Sequence, residues 1–159
     1  MTTPMLSSAR AVADLTGGII LAAVEIAATP ERVFQAIASE EIASWWGSAD
    51  TYRVTRWTGD VRPGGRWRSE GMSAGGQTFA VGGEILEVVP PFLLMQTWRY
   101  EHRPDAMTTV RFQIEAIPGG SRVTVRHEGF TDRADCDSHS RGWERVLGQL
   151  STYVSHNDP

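Results

Sequence analysis

Apolar and polar residues alternate along two segments in the last third of the chain, Met107–Ile117 and Ser121–His127. Alternation with a period of two residues is typical of half-buried β-strands, because neighbouring side chains point to opposite faces. Between the segments lies Pro118-Gly119-Gly120, whose composition predicts a turn. The side chains expected on the buried face of this hairpin are Val110, Phe112, Ile114, Val123, Val125 and His127.

The period of the apolar residues changes to that of a helix from Ser138 onward. The side chains at helical spacing form one stripe, which consists of Trp143, Val146, Leu147, Leu150, Tyr153 and Val154. A helix with one apolar face needs a partner surface, and the preceding strands provide one. Because a long helix laid on a curved antiparallel sheet can enclose a pocket, the pattern predicts a cavity between these layers.

Earlier in the chain the pattern predicts one strand, two short helices and four further strands. The first strand covers Ile19–Ala27. A helix then begins at Thr29-Pro30-Glu31, where threonine can cap, proline suits the first helical position and glutamate faces the helix dipole. A second short helix carries Trp45 and Trp46. The strands that follow are Tyr52–Thr58, Gly65–Gly71, Gln77–Val89 and Phe92–Tyr100.

The glycine pair Gly82-Gly83 lies inside a predicted strand and indicates a bend or a bulge, which a sheet needs in order to curl around a helix. No linker or repeat divides the chain, so we expect a single domain over residues 18–155. Residues 1–17 are small and polar and predict a flexible tail, with the option of a short helix around Ala9–Leu15.

Composition narrows the range of functions. The net charge of −4 argues against a nucleic-acid partner, which requires a basic face. All 15 positively charged residues are arginine, so Schiff-base chemistry and a P-loop lysine are excluded. Cys136 is the only cysteine, which excludes an internal disulfide. No apolar run approaches the ~20 residues of a membrane span and residues 1–17 do not resemble a secretory signal, so we expect no membrane and a cytoplasmic location.

Six segments together resemble the START-like, or SRPBCC, superfamily, and within it the family named for the activator homologue of the heat-shock-protein-90 ATPase. They are TPERVFQAI at 29–37, ASWWG at 43–47, DVRPGGRWR at 60–68, GGEILEVVPPFLLMQTW at 82–98, PGGSRVTVRHEGF at 118–130 and GWERVLGQLSTYV at 142–154. The resemblance runs from about Ile19 to Val154. It implies an α+β helix-grip fold, in which a curved seven-stranded antiparallel sheet wraps around the C-terminal helix and two short helices follow strand 1.

The resemblance implies several functions, because the superfamily includes lipid carriers, hormone receptors, polyketide cyclases and co-chaperone domains. We expect first a non-enzymatic protein that binds a small apolar or aromatic molecule without a cofactor. A co-chaperone-like interaction module comes second. It ranks below ligand binding because the eukaryotic co-chaperone engages the chaperone through a separate N-terminal domain, whereas about 17 residues precede the first strand here. A cyclase-like or hydrolase-like enzyme comes third. A homodimer is compatible with this interpretation, since single-domain relatives often pair.

The ligand site is expected on the cavity walls, at Trp45, Phe79, Val81, Trp98, Phe112, Val125, His127, Trp143 and Leu147. His127 would offer a polar contact in an otherwise apolar pocket. The alternative is a histidine bonded to a backbone group at the end of its strand. His139 lies on the same helical arc as Trp143, one turn earlier, where it can face His127 across the pocket mouth.

The sequence contains no catalytic or metal-binding motif that we recognise. GxSxG and HExxH are both absent, so His127 is the acid–base candidate if the protein is an enzyme. Asp, Cys and His residues cluster between 132 and 139, but their spacing matches neither a zinc knuckle nor an EF-hand loop. We interpret this cluster as an acidic surface loop.

Overall fold

The computed structural model describes residues 5–156 and places eight strands and three helices within them. The strands are β1 (Arg10–Asp14), β2 (Ile19–Ile26), β3 (Tyr52–Gly59), β4 (Arg66–Ser73), β5 (Thr78–Val89), β6 (Leu93–Tyr100), β7 (Met107–Ile117) and β8 (Gly120–Glu128). The helices are α1 (Pro30–Ile37), α2 (Ile42–Trp45) and α3 (Arg133–His156). The fold is α+β, as expected, and the six strands predicted after the two short helices are all present.

All eight strands belong to one curved antiparallel sheet in the order β1-β2-β8-β7-β6-β5-β4-β3. Consecutive strands from β3 to β8 pair as hairpins. Strand β2, near the start of the chain, pairs with β8, the last strand. In the last hairpin Phe112 pairs with Val125 and Val110 pairs with His127. The side chains of all four are buried, which confirms the face assigned by the alternating pattern.

The prediction of seven strands was wrong by one, because part of the expected tail is a strand. Residues Arg10–Asp14 form β1 and pair with β2, with Val12 opposite Leu21. The segment before β1 is also held to β2, since Glu25 accepts a hydrogen bond from Ser7 N at 2.8 Å. Small alternating residues were a weak signal for this edge strand. The first four residues of the predicted tail lie outside the described part of the chain.

Helix α3 begins at Arg133, five residues before the predicted start at Ser138. Asp132 Oδ1 accepts hydrogen bonds from the backbone N–H groups of Ala134 and Asp135, at 2.9 and 3.2 Å, which is the geometry of an N-cap. The predicted acidic surface loop is therefore the cap and first turns of a helix. Cys136 within it is fully buried, so the segment packs against the domain.

Helix α1 has the predicted start, and α2 ends earlier than expected. Thr29 Oγ1 accepts a hydrogen bond from Arg32 N at 3.2 Å, and Pro30 takes the first helical position. Helix α2 has a single turn and ends at Trp45. Trp46 is already extended, with φ −80° and ψ 105°, so the two neighbouring indoles leave the chain in different directions.

The C-terminal helix packs against one end of the sheet. Its main partners are β2 and β1, while α1 packs on β7 and β8 and α2 on β3. The apolar stripe from Trp143 to Val154 is buried, apart from Tyr153, which is half-buried. Because α3 lies nearest to β1 and β2, its first half stands opposite β4, β5 and β6 with space between them.

Candidate functional site

A cleft of about 1300 Å³ lies between the first half of α3 and the strands β3 to β6. Helix α3 contributes residues from Ser138 to Val146, and the strands contribute residues from Tyr52 to Tyr100. The outer rim consists of exposed polar side chains, including Arg68, Gln77 and Glu101. The inner wall is mostly aromatic. The site is therefore an open cleft with a polar edge and an apolar floor.

Three tryptophans form the floor of the cleft. The rings of Trp46 and Trp98 stack with centroids 5.8 Å apart, and Trp143 meets Trp46 edge-on at 5.4 Å. The aromatic surface continues along one side of the cleft. There the ring centroid of Phe79 lies 5.9 Å from that of Tyr52 and 6.3 Å from that of Tyr100. Aromatic walls of this kind bury flat apolar molecules and favour stacked or edge-to-face contacts with them.

His127 lies beneath this floor and is locked by hydrogen bonds on both ring nitrogens. Trp143 Nε1 donates to His127 Nδ1 at 3.0 Å, so Nδ1 is an acceptor and the proton of the neutral ring resides on Nε2. Nε2 lies 2.7 Å from Thr108 Oγ1, which in turn donates to the Trp98 carbonyl oxygen at 3.2 Å. Burial, and to a smaller extent the neighbouring His139, holds the pKa of His127 well below its usual value of 6.5.

This arrangement differs from both interpretations of His127. Its side chain is fully buried and both nitrogens are engaged, so it does not offer a free polar group to a ligand. Its partners are side chains, not a backbone group. His127 instead fixes the indole of Trp143, which forms part of the cleft floor, to strand β7 through Thr108. Its role in the structure is therefore to position an aromatic wall.

A second histidine stands at the inner end of the cleft. His139 faces His127 with ring centroids 5.6 Å apart, as the helical spacing anticipated. Its Nδ1 lies 2.9 Å from the Asp135 carbonyl oxygen, which can only accept, so Nδ1 donates. In the neutral ring Nε2 then accepts from the Tyr100 hydroxyl at 3.3 Å, a long hydrogen bond.

The two tyrosines of the cleft are both held neutral. Burial raises the pKa of Tyr100 to about 12, with Tyr52 adding to this effect and the nearby Trp98 indole opposing it. Burial also raises the pKa of Tyr52, against the opposing effects of Trp46 and Arg145. Both side chains therefore present phenol O–H groups at neutral pH.

Most charges at the rim are paired with each other. Arg68 binds Glu101 with an Nε–Oε2 distance of 2.6 Å and Glu70 at 3.2 Å. Behind His139, Arg103 binds Asp135 at 2.9 Å. These exposed pairs contribute little to stability. Among the described residues they leave no unpaired carboxylate in the cleft, while the Arg145 guanidinium adds a positive charge near Tyr52.

Only small cavities accompany the cleft between the sheet and the helix in the described part of the chain, and one of about 70 Å³ lies beside Thr108, Phe130 and His139. A cavity of only about 30 Å³ remains beneath the cleft, beside Trp67, Val81, Gln96 and Phe112. This volume holds a water molecule or two but no larger molecule. The space of ligand size is thus an open cleft and not the closed hollow that the sequence pattern predicted, because tryptophan side chains occupy the centre.

The structure places four of the nine predicted site residues on the cleft: Phe79, Trp98, His127 and Trp143. Val81 and Phe112 border the small interior cavity, and Val125 and Leu147 are fully buried in the core. Trp45 packs under α1, where its Nε1 donates to the Ala36 carbonyl at 3.0 Å. Trp45 does not line the cleft, because α2 ends at this residue and Trp46 is the indole that turns toward the cleft.

Sequence reasoning missed three aromatic residues of the cleft, namely Trp46, Tyr52 and Tyr100. One of them carried a usable signal. Tyr100 follows Trp98 by two residues on β6, so the two side chains share a face of the sheet. Because both faces of β6 are apolar, the sequence did not show which of its side chains point toward the cleft. Trp46 and Tyr52 flank the α2–β3 connection, where neither periodicity applies.

The described residues include no group of three or more His, Cys, Asp or Glu side chains arranged to hold a metal ion. Within residues 5–156, the helices also lack the combination of length and apolar character that crossing a membrane requires.

The family model described as "Activator of Hsp90 ATPase homolog 1-like protein" matches residues 27–155. No curated protein gives a significant match. Among solved structures, 121 chains match.

Three of these structures illustrate the likeness. A protein from Chromobacterium violaceum is 25% identical, with 87% of this chain and 97% of that chain covered and a TM-score of 0.74. A protein from Rhodobacter sphaeroides is 18% identical, with coverage of 94% and 99% and a TM-score of 0.78. An AHSA1-like protein from Aeromonas hydrophila is 22% identical, with coverage of 86% and 92% and a TM-score of 0.68.

Proposed function

The chain belongs to the Activator of Hsp90 ATPase homolog 1-like family, and from this premise we propose that it binds a small, mostly aromatic molecule in the cleft between α3 and β3–β6. The observation that carries the proposal is the cleft itself. Its volume of about 1300 Å³ exceeds what a single aromatic ligand of moderate size needs. Its floor is a continuous surface of indole and phenol rings.

The hydrogen bonds around His127 support binding over catalysis. A general base needs a nitrogen that can reach the substrate proton. Both nitrogens of His127 are occupied by Trp143 and Thr108, and its side chain is fully buried. The residue that the sequence favoured as an acid–base group is therefore committed to the architecture of the cleft.

Two glycines of α3 allow a matched test. A Cβ atom at Gly142 would lie 3.7 Å from the Tyr52 hydroxyl, inside the cleft, whereas a Cβ atom at Gly148 would meet nothing within 4 Å. Gly142→Leu therefore fills the cleft, while Gly148→Leu makes the same chemical change outside it. Both replace a helical glycine and should not weaken the helix.

The experiment is a calorimetric titration of the wild-type protein and both variants with 2-acetylnaphthalene, a flat aromatic probe. We expect binding by the wild-type protein and by Gly148→Leu, and at least a tenfold weaker affinity for Gly142→Leu. Chemical denaturation of each variant checks that the fold is retained. Equal affinity in all three proteins would place the binding elsewhere, and failure to bind a panel of two-ring and three-ring aromatics would refute the proposal.

A second candidate function is binding to an Hsp90-type chaperone, which the description of the family model favours. Two large apolar side chains at the β5–β6 turn are exposed, Val89 by 49% and Phe92 by 50%. Exposed apolar side chains that lie together are typical of protein contact sites. This turn lies at the far side of the sheet from Val12 on β1, which is also exposed.

The chaperone function is tested by the ATPase rate of the chaperone in the presence of the protein. Stimulation by the wild-type protein that is lost in Phe92→Ser and kept in Val12→Ser would support the β5–β6 turn as the contact. If the wild-type protein neither binds the chaperone nor changes its ATPase rate, this candidate is eliminated, and the aromatic-ligand proposal is unaffected.

A further inference from the structure

One buried donor in the cleft lacks a good partner. The side chain of Trp98 is only 8% exposed, yet its Nε1–H makes no hydrogen bond of normal geometry among the described residues, and its interaction with the Tyr100 side chain falls short of one. Two neighbouring buried indoles have normal partners: Trp67 Nε1 donates to the Thr97 carbonyl at 3.1 Å, and Trp143 Nε1 donates to His127. A buried polar group without a partner is unusual in a folded protein and indicates a ligand or a strained site.

The position of this donor is defined by its neighbours. The Trp98 indole lies close enough to the Tyr100 hydroxyl to influence its titration, although the two do not form a hydrogen bond of normal geometry. Both side chains line the cleft. The Tyr100 hydroxyl donates to His139 Nε2 over 3.3 Å, which is long for such a pair and is readily exchanged for a better acceptor.

Two donors thus lie together in the cleft wall without a strong acceptor, because the Trp98 N–H makes no hydrogen bond of normal geometry and the Tyr100 O–H has only the long bond to His139. An acceptor oxygen on a ligand can satisfy the Trp98 N–H and take up the Tyr100 O–H at the same time. The oxygen should be uncharged, because burial raises the pKa of Tyr100 to about 12, and an environment that opposes a phenolate also opposes a carboxylate.

We propose that the cleft selects flat aromatic carbonyl compounds, such as aryl ketones, esters or amides, whose oxygen accepts hydrogen bonds from Trp98 Nε1 and Tyr100 Oη. This inference rests on the proposed ligand-binding function and adds the chemical class of the ligand. A site built to bond a ligand oxygen rejects an analogue that lacks it, because its own donors are then left buried and unpaired.

The test compares three probes that share one ring system: 2-acetylnaphthalene, 2-ethylnaphthalene and 2-naphthoate. Affinities are measured by calorimetry, and the indole Nε1–H resonance of Trp98 is followed by NMR. We expect the ketone to bind at least tenfold more tightly than the hydrocarbon and more tightly than the carboxylate. We also expect the ketone alone to move the Trp98 Nε1–H resonance downfield.

Variants separate the two donors from the aromatic surface. Tyr100→Phe should reduce the preference for the ketone several-fold. Trp98→Phe should bring the ratio of the ketone and hydrocarbon affinities close to one, although the loss of indole surface from the cleft floor weakens the binding of both probes. Tyr153→Phe is the matched control, because its hydroxyl bonds Glu41 outside the cleft, and it should keep the full preference. If Trp98→Phe does not fold, the wild-type resonance and Tyr100→Phe still decide the question.

The outcomes distinguish this inference from the function on which it rests. Equal binding of ketone and hydrocarbon, with an unmoved Trp98 resonance, would overturn the carbonyl preference and leave aromatic binding intact. A preference for the carboxylate would also overturn it, since the inner cleft would then be an anion site. Binding of none of the three probes would contradict the ligand-binding function itself.

Discussion

Lowering the pH from 7.5 to 5.5 should destabilise the fold through one side chain, His127. In the folded protein this ring is fully buried, donates to Thr108 and accepts from Trp143. Protonation would place a second N–H on Nδ1, directly against the indole N–H. Burial and the neighbouring His139 hold the pKa of His127 well below 6.5 in the folded state, while the unfolded chain keeps the ordinary value.

The sign and size of the effect follow from this difference. Below pH 6.5 the unfolded state binds a proton at His127 that the folded state does not, so the free energy of unfolding falls as the pH falls. Between pH 7.5 and 5.5 the loss is on the order of 1 kcal/mol at 25 °C. It continues at about 1.4 kcal/mol per pH unit until the folded-state pKa is reached, and above about pH 7.5 the contribution disappears.

The assay is urea denaturation at both pH values for the wild-type protein and for His127→Gln. Glutamine can accept from Trp143 and donate to Thr108 without titrating, so other ionisable groups cancel in the comparison. The pH-dependent loss should be smaller in the variant by on the order of 1 kcal/mol. In ¹⁵N NMR, His127 should remain the neutral Nε2–H form at pH 5.5. Protonation of His127 near pH 6.5, or equal losses in both proteins, would refute the reasoning.

Three further substitutions test the packing by urea denaturation. Asp132→Ala removes the cap of α3 and should cost about 1 kcal/mol of stability. Gly83→Ala should destabilise strongly, by more than ~2 kcal/mol, because its Cβ would lie 2.1 Å from the Thr97 carbonyl oxygen. Glu41→Gln should cost about 2 kcal/mol, because the Arg32 side chain is only 8% exposed and loses its charged partner, 2.9 Å away.

Each of these substitutions has a control of similar chemistry, in which the proposed cause of destabilisation is absent. Asp132→Asn retains a capping oxygen and should fall within a few tenths of a kcal/mol of the wild-type protein. Gly148→Ala has open space around its Cβ and should raise stability by up to ~1 kcal/mol through helix propensity. Glu40→Gln alters an exposed neighbour of Glu41 and should have no measurable effect. An equal loss in the control and the test variant would contradict the stated mechanism.

The larger elements could be predicted because their apolar periods are long and uninterrupted. The strands β7 and β8 and the stripe from Trp143 to Val154 each repeat their pattern several times, so no other structure buries the same side chains. The edge strand of the sheet and the exact start of the last helix were less predictable. The five residues of β1 gain their strand conformation by pairing with β2, and the start of α3 depends on a cap at Asp132 that precedes the apolar stripe.

The cleft was predictable only as a region. Trp98 and Trp143 lie on inward faces that the pattern identified, and both reach the site. Trp45 and Trp46 are adjacent in sequence, and a one-residue difference in the end of α2 decides which of them faces the cleft. The orphan donor on Trp98 has no signal in the sequence, because whether an indole finds a partner depends on neighbours from other strands.

The sequence by itself determined the α+β class, the hairpins and the burial of the C-terminal helix, because local periodicity and turn residues fix which face of each element is apolar. It also excluded lysine-based chemistry and an internal disulfide. Only the tertiary structure decided that α3 sits toward β1 and β2, that tryptophans fill the centre and that an open aromatic cleft remains. These features depend on distances between residues far apart in the chain, which packing sets and periodicity does not encode.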